Sequence, residues 1–407
     1  MQSSTTDVWA TGLGAMTPLG ADATTTWSAM RAAENGVSPL EQSWAQTLPV
    51  RIAAQLPTDP AEALERTEAR RLDRCEQMAL ATARDAWDDA ERPEVDPERL
   101  AVVIGTGIGG IGSLLDQNQT LMTSGPRRVS PHTVPMLMAN GPAAWVSMEF
   151  GALAGVHSPV SACASGAEAL ALGLDLIRSD RADMVIAGGV EASIYPLTLA
   201  AFARMMALST DNATPELACR PFDTGRNGFV LGEGAAIVVL ERAEHARARG
   251  VTTPHGRLLG AGLSASASHI TASDTPGQVR AIRQSLRTAD LSPTDVGVVH
   301  AHATSTPQGD VAEADAITSA LGTHPVVTAT KSMTGHLLGA SGALGAVAAI
   351  LSLRDGTVPP TRNLRDLDPE VDCDVVTGTA RTGHWDCALV NSFGFGGHNV
   401  SLVLGRP

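Results

Sequence analysis

Phe393-Gly-Phe-Gly-Gly-His-Asn-Val-Ser-Leu-Val-Leu404 repeats, at a constant offset, the pattern of Phe229-Val-Leu-Gly-Glu-Gly-Ala-Ala-Ile-Val-Val-Leu240. Each stretch opens on phenylalanine, passes through glycine and closes on an apolar, β-prone run. The echo extends outward. Val8-Trp-Ala-Thr-Gly-Leu-Gly14 is matched by Gly256-Arg-Leu-Leu-Gly-Ala-Gly262, and the buried-type strand Ala101–Ile104, which ends at a glycine turn, by Val296–Ala301, which ends at His302. A chain of 407 residues is too long for one ordinary core. The internal repeat therefore predicts two similar α/β halves, 1–250 and 251–407, with the site where they meet.

Within the first half, Pro159-Val-Ser-Ala-Cys-Ala-Ser-Gly-Ala-Glu-Ala-Leu170 sets Cys163 between a β-prone run, Val156–Ser161, and an Ala- and Leu-rich helix reaching about Arg178. A thiol at a helix start meets unpaired N–H groups and the positive end of the helix dipole, which favour the nucleophilic thiolate. Small neighbours leave room for a bulky substrate. On this segment alone, a buried cysteine acting as a small hydrophobe fits equally well.

Composition narrows the class. Hydrophobic residues make up 43% and charged residues 18%, with no apolar run long enough to cross a bilayer. No basic stretch followed by an apolar one opens the sequence, so the cytoplasm is the expected compartment. Five widely spaced cysteines, without a C-x-x-C pair, predict neither a disulfide frame nor a metal site. A net charge of −14 argues against nucleic acid as a partner. Of 29 basic residues, 28 are arginine; the single lysine, Lys331, stands where a compact ammonium on a flexible stem is the expected requirement.

Gly105-Thr-Gly-Ile-Gly-Gly110 follows a strand and matches the dinucleotide fingerprint G-x-G-x-x-G. Its context does not: after Asp116 the next acidic residue is Glu149, too far for the ribose partner. A glycine turn lining a pocket or interface is the favoured reading. A helix is expected over Arg70–Asp89, with Arg66, Arg70, Arg71 and Arg74 forming the densest basic cluster of an acidic chain; an ordinary solvated face would look the same.

In the second half, His302 follows a strand and precedes the hydroxyls of Thr304, Ser305 and Thr306. Lys331 and His336 lie together at the start of another small-residue helix. One thiol and two imidazoles suit decarboxylative Claisen condensation better than hydrolysis. Two neutral imidazole N–H groups stabilise the enolate left by loss of CO2 without delivering a proton that quenches it. No G-x-S-x-G elbow points to a serine hydrolase.

The chain here resembles, over its full length, the β-ketoacyl-acyl carrier protein synthases, elongating condensing enzymes with the thiolase fold. The likeness rests on Ser161-Ala-Cys-Ala-Ser-Gly166, Arg220-Pro-Phe-Asp223, His302-Ala-Thr-Ser-Thr-Pro-Gln-Gly-Asp310, Lys331-Ser-Met-Thr-Gly-His336 and Asn391-Ser-Phe-Gly-Phe-Gly-Gly397. Its details look most like actinobacterial fatty-acid and mycolate-type enzymes. The resemblance implies a layered α-β-α-β-α architecture and fatty-acid chain elongation from malonyl-acyl carrier protein. It implies no resident cofactor, since phosphopantetheine arrives on the carrier, and a homodimer. Cys163 would take the acyl chain, His302 and His336 would hold the malonyl thioester, and Lys331 would tune His336. The N–H groups of Cys163 and Phe395 would form the oxyanion hole, with Phe395 as a gate. Thr271, Thr304 and Thr306 would bind the phosphopantetheine arm, and Asp310 and Glu313 would be structural supports. Ile108, Phe202 and residues 131–140, the last from across a dimer interface, would shape the acyl pocket. Arg66, Arg70, Arg71, Arg74, Arg127 and Arg128 would meet the acidic carrier. Ala303 stands where glycine is more usual, a change also found within the family. Two alternatives share the fold: a polyketide or other specialised-metabolite ketosynthase, and a noncatalytic subunit of the chain-length-factor kind, against which the full set of chemical residues speaks. A thiolase would want a second catalytic cysteine, and Cys373 and Cys387 lack the glycine-rich setting for it.

Overall fold

The computed structural model describes residues 6–407. Eleven strands form the main sheet among these residues. In chain order they are β1 (Val8–Met16), β2 (Leu100–Gly105), β3 (Gly155–His157), β4 (Met184–Glu191), β5 (Gly234–Arg242), β6 (Gly256–Ala265), β7 (Val296–His300), β8 (Val326–Thr328), β9 (Asp374–Val375), β10 (Cys387–Gly394) and β11 (His398–Gly405). Across the sheet the order is β9-β8-β7-β10-β11-β6-β1-β5-β4-β2-β3.

The order is a palindrome apart from the extra strand β9. From β1 outward the partners run β5, β4, β2 and β3, the first two junctions antiparallel and the rest parallel. From β6 outward they run β11, β10, β7 and β8, with the same sequence of directions. Among the described residues, only Trp9 with Arg257 and Ala10 with Gly256 pair the two half-sheets. The repeated stretches that open at Phe229 and Phe393 end in β5 and β11, which hold equivalent places.

Helices complete five layers, α-β-α-β-α, as expected. Arg74–Asp89 and Gly141–Phe150 cover the outer face of the first half-sheet, and Thr275–Ala289 and Pro307–Leu321 that of the second. Ser165–Arg178 and Ser341–Asp355 lie between the half-sheets. The central pair is built mainly of alanine, glycine, leucine and other apolar residues, because both faces are enclosed. Leu170, Leu174 and Ile177 are fully buried there, each stabilising the fold by about 2 kcal/mol. The segment Leu338–Asp355 has the length and apolarity of a membrane span, but 89% of it is buried as this core layer.

Local boundaries differ from the sequence expectations for identifiable reasons. The helix expected from Arg70 begins at Arg74, because Asp73 caps it in a reciprocal capping box with Glu76. Strand β4 runs through Gly188 and Gly189 to Glu191. Glycine is needed inside that strand: a Cβ on Gly189 would lie 2.4 Å from the carbonyl oxygen of Gly339. Of the β-prone run 156–161, only Val156 and His157 are in a strand.

Candidate active site

Cys163 lies in a one-turn 3-10 segment, Ala162–Ala164, that leads into the helix Ser165–Arg178. Ala162 adopts φ 52°, a left-handed conformation costing about 1 kcal/mol that survives because its surroundings enforce it. The strand β10 enforces much of it. Ser392 donates a hydrogen bond to the Cys163 carbonyl at 2.9 Å, and a Cβ on Gly394 would meet the Ser161 carbonyl at 2.4 Å. The end of β10, from the second half, is thus pressed against the turn that carries the thiol, from the first.

A cavity of about 510 Å³ opens at this junction. Its walls bring together Cys163, His302, His336 and Phe395, as well as Ile108 and Phe202 on one side and Thr271, Thr304 and Thr306 on the other. The Thr304 and Thr306 hydroxyls are 3.1 Å apart. Phe202 packs edge-on to Phe229, with centroids 5.4 Å apart, and Phe229 packs edge-on to His336 at 5.3 Å. Phe393, the counterpart of Phe229 in the repeat, lies 5.9 Å from His302. The two repeated phenylalanines therefore each flank one imidazole, a role the repeat could have signalled and sequence reasoning missed.

Burial decides the charge states. The Cys163 thiol is pushed up to about 12, mainly by burial and also by the Glu191 carboxylate, against the opposing pull of Lys331 and the backbone N–H groups of Phe395 and Cys163 itself. The sequence expectation of a lowered thiol is corrected here: the helix start supplies the expected N–H groups, but desolvation outweighs them. His302 and His336 are held well below the usual imidazole range by burial and by the Lys331 charge, His302 also by His336. Both rings are neutral at ordinary pH. Lys331 is itself only 6% exposed; burial lowers its proton affinity, which Glu313 and Cys163 chiefly sustain.

Acidic side chains build the frame. Glu313 accepts the backbone N–H groups of His302 and Ala303 at 2.7 and 2.6 Å and the Asn391 amide at 3.0 Å. Asp310 accepts those of Phe222 and Ser305 at 2.9 and 3.1 Å, anchoring the Arg220–Asp223 turn to the threonine loop. Glu191, a lone acid ending an apolar strand and not singled out in the sequence, is fully buried. It accepts N–H groups of Gly107, Ile108 and Gly339 and the hydroxyls of Thr106 and Ser193. The glycine turn of the dinucleotide-like motif thus has its amides occupied by a carboxylate and holds Ile108 in the cavity wall; it does not cradle a phosphate.

The basic cluster is smaller than expected. Arg74 makes a two-pronged ion pair with the buried Glu233, at 2.9 and 2.7 Å, and reaches Asp59 at 3.3 Å. Those contacts hold it against the protein, so it is removed from the docking set. Arg66, Arg70, Arg71, Arg127 and Arg128 are exposed. Residues 131–140 do not line the cavity of the single chain; Val134 and Met138 of that stretch are exposed to solvent. Among the described residues no cluster of three His, Cys, Asp or Glu side chains could hold a metal ion.

Comparison with known proteins agrees with this geometry. The chain is 44% identical to a Mycobacterium tuberculosis 3-oxoacyl-[acyl-carrier-protein] synthase 2 over 402 residues, 97% of this chain and 96% of that protein. Among solved structures, an ishigamide ketosynthase/chain length factor matches with TM-score 0.93 and 32% identity, covering 99% of this chain and all of the other. A type II polyketide ketosynthase solved with its acyl-carrier protein matches with TM-score 0.91 and 29% identity, at the same coverage. The models for the beta-ketoacyl synthase N-terminal and C-terminal domains match residues 5–246 and 255–365, so a thiol facing two neutral imidazoles in a thiolase-like fold has its place: the chain belongs to the beta-ketoacyl synthase family of condensing acyltransferases.

Proposed function

We propose that this chain elongates fatty acyl chains by decarboxylative condensation of malonyl-acyl carrier protein with an acyl group held on Cys163. The observation that carries the reading is one cavity containing a thiol and two imidazoles that burial keeps neutral. In the first half-reaction the Cys163 sulfur attacks the acyl thioester, the C–S bond to the carrier breaks, and the thiol proton leaves with the carrier sulfur. The N–H groups of Cys163 and Phe395 stabilise the tetrahedral oxyanion. In the second, His302 and His336 donate to the malonyl thioester oxygen while CO2 departs. The resulting enolate attacks the acyl carbonyl, the bond from that carbon to sulfur breaks, and the expelled Cys163 thiolate takes a proton from solvent water. Lys331 supports this step from beneath by keeping the rings unprotonated.

Thr271, Thr304 and Thr306 hold the phosphopantetheine arm, and Ile108 and Phe202 bound the acyl chain. Phe395 is the gate; it sits in a hairpin tip whose Gly396 and Gly397 adopt φ 87° and 79°, which gives the tip freedom to move. The acyl carrier protein is the partner, met by the exposed arginines 66, 70, 71, 127 and 128. A second copy of the chain is the other. Strand β3 ends the sheet with an open edge, and Val156, Val160, Leu153 and Met148 around it are 43 to 70% exposed, an apolar edge that pairing with its own copy covers. In that dimer residues 131–140 reach the partner's acyl pocket. The similarity to synthase 2 proteins exceeds that to the polyketide systems, which favours elongation over specialised-metabolite synthesis.

The test is a condensation assay over an acyl-carrier series of defined chain length, with product identified by mass spectrometry. Cys163→Ala abolishes acyl-enzyme formation, and Cys163→Gln decarboxylates malonyl carrier without condensing it. Full acylation of Cys163→Ala, or a Cys163→Gln protein that is silent while folded, overturns the assignment.

A further inference from the structure

The two imidazoles of the cavity are not held alike. His336 Nδ1 lies 2.9 Å from the Ser341 hydroxyl, whereas His302 Nδ1 is buried with no hydrogen-bond partner. We propose that Ser341 is a positioning residue that locks His336 in the tautomer bearing its proton on Nε2. The inference rests on the condensing reading above.

The assignment follows from counting donors. Ser341 Oγ also lies 2.9 Å from the backbone nitrogen of Leu337. An amide N–H only donates, so the oxygen accepts that bond. The hydroxyl hydrogen remains, and His336 Nδ1 is the one other group bonded to this oxygen. Were Nδ1 protonated, Oγ would accept twice and its own hydrogen would be buried without an acceptor, the more costly arrangement. A doubly protonated ring is disfavoured by burial and by Lys331. Nδ1 is therefore the acceptor and the ring proton sits on Nε2, at the edge of the ring away from Ser341. His336 lines the cavity, so that edge offers a standing N–H donor to a thioester oxygen.

Position favours the same role. Ser341 is the first residue of the central helix Ser341–Asp355, and the short 3-10 turn Leu338–Ala340 separates it from His336. The turn folds back so that one side chain caps both the Leu337 amide and the ring. His302 has its backbone N–H fixed by Glu313 but no partner on Nδ1, so its tautomer is free to exchange. The pair is then one fixed donor and one adaptable ring.

The test uses the full-length protein with 15N-labelled histidine. In the wild type, His336 Nδ1 gives the signal of an unprotonated ring nitrogen, assigned by its loss in His336→Gln. In Ser341→Ala that signal moves toward the exchange average of two tautomers, and the rate of malonyl-carrier decarboxylation falls about tenfold, the scale of one lost hydrogen bond. Acylation of Cys163, which does not use His336, changes far less, and Ser341→Thr restores both the nitrogen signal and the rate. An unchanged tautomer in Ser341→Ala overturns the proposal, as does a Ser341→Thr protein with normal melting temperature that rescues neither readout. A wild type that neither acylates nor decarboxylates sinks the condensing reading instead, while the nitrogen spectra still decide the tautomer.

Discussion

The rings of His302 and His336 stand edge to face, their centroids 5.4 Å apart and their planes at 86°. Neither ring is hydrogen-bonded to an acid that could hold it charged, and burial with the Lys331 ammonium drives both far below the usual imidazole range. Malonyl-carrier decarboxylation by Cys163→Gln is therefore expected to vary by less than about twofold between about pH 6 and 8. A sigmoidal profile centred near about 6.5 would show an imidazole titrating normally. The same rings make the fold pH-sensitive in a known direction. The unfolded chain binds protons that the folded rings refuse, so these histidines subtract stability as pH falls below about 6.5.

The thiol tells the opposite story for an anion. With Cys163 pushed up to about 12 by burial, the thiolate fraction rises throughout the accessible pH range. Alkylation of Cys163 by iodoacetamide should accelerate about tenfold per pH unit from about pH 7 to 10, without the plateau near about 8.5 of a free cysteine. Lys331→Met removes the main charge that favours the thiolate and slows alkylation further at every pH. A plateau below about pH 9, located by mass spectrometry of the Cys163 peptide, would mean the N–H groups of the helix start outweigh burial after all.

Much of the fold was legible because it is written twice. The stretches from Phe229 and Phe393 end in strands with equivalent neighbours, and the matching junctions carry Cys163 in one half and His302 and His336 in the other. What escaped the sequence depends on distances between segments far apart in it. Cys163 at a helix start reads as activated, yet the thiol's enclosure by both halves reverses the sign. Arg74 reads as one of a cluster, yet Glu233, 159 positions away, takes its guanidinium. Ser341 is an unremarked hydroxyl in a small-residue helix until the 3-10 turn brings it back under His336. Glu191 was visible as an acid closing an apolar strand, but its five partners come from three separate loops.

Glu76 illustrates a buried charge kept neutral. It has no exposed surface, and burial, with the Asp73 carboxylate adding to it, raises its affinity for a proton to about 8 despite the Asp73 backbone N–H and Trp145. The folded protein keeps the proton up to that pH, while the unfolded chain loses it near about 4.5. The native state thus pays a growing ionisation penalty as pH rises through that window. Glu76→Gln mimics the neutral acid, so its melting temperature relative to wild type should climb by about 5 °C between about pH 6 and 9. A difference that stays flat across that range would show Glu76 ionised in the folded protein.

Gly394 offers the sharpest separation of steric from conformational effects. It ends β10 directly before Phe395, and an added Cβ would sit 2.4 Å from the Ser161 carbonyl and 3.2 Å from the Cys163 nitrogen. Both atoms are backbone and cannot swing aside, so Gly394→Ala must lift the strand end, and the Phe395 N–H with it, away from the sulfur. Displacement of about 1 Å at a reacting centre costs on the order of 100-fold, so kcat/KM for condensation should fall by about that factor, with Cys163 acylation slowed in parallel. Gly378 is the control. Its φ of 72° is a left-handed value that strains alanine, but an added Cβ meets nothing within 4 Å and the residue lies outside the cavity. Gly378→Ala should lower stability by about 1 kcal/mol from strain alone and leave condensation at the wild-type rate. Equal activity losses in the two variants would mean that global destabilisation accounts for the effect, and that the contact between β10 and the Cys163 turn does not.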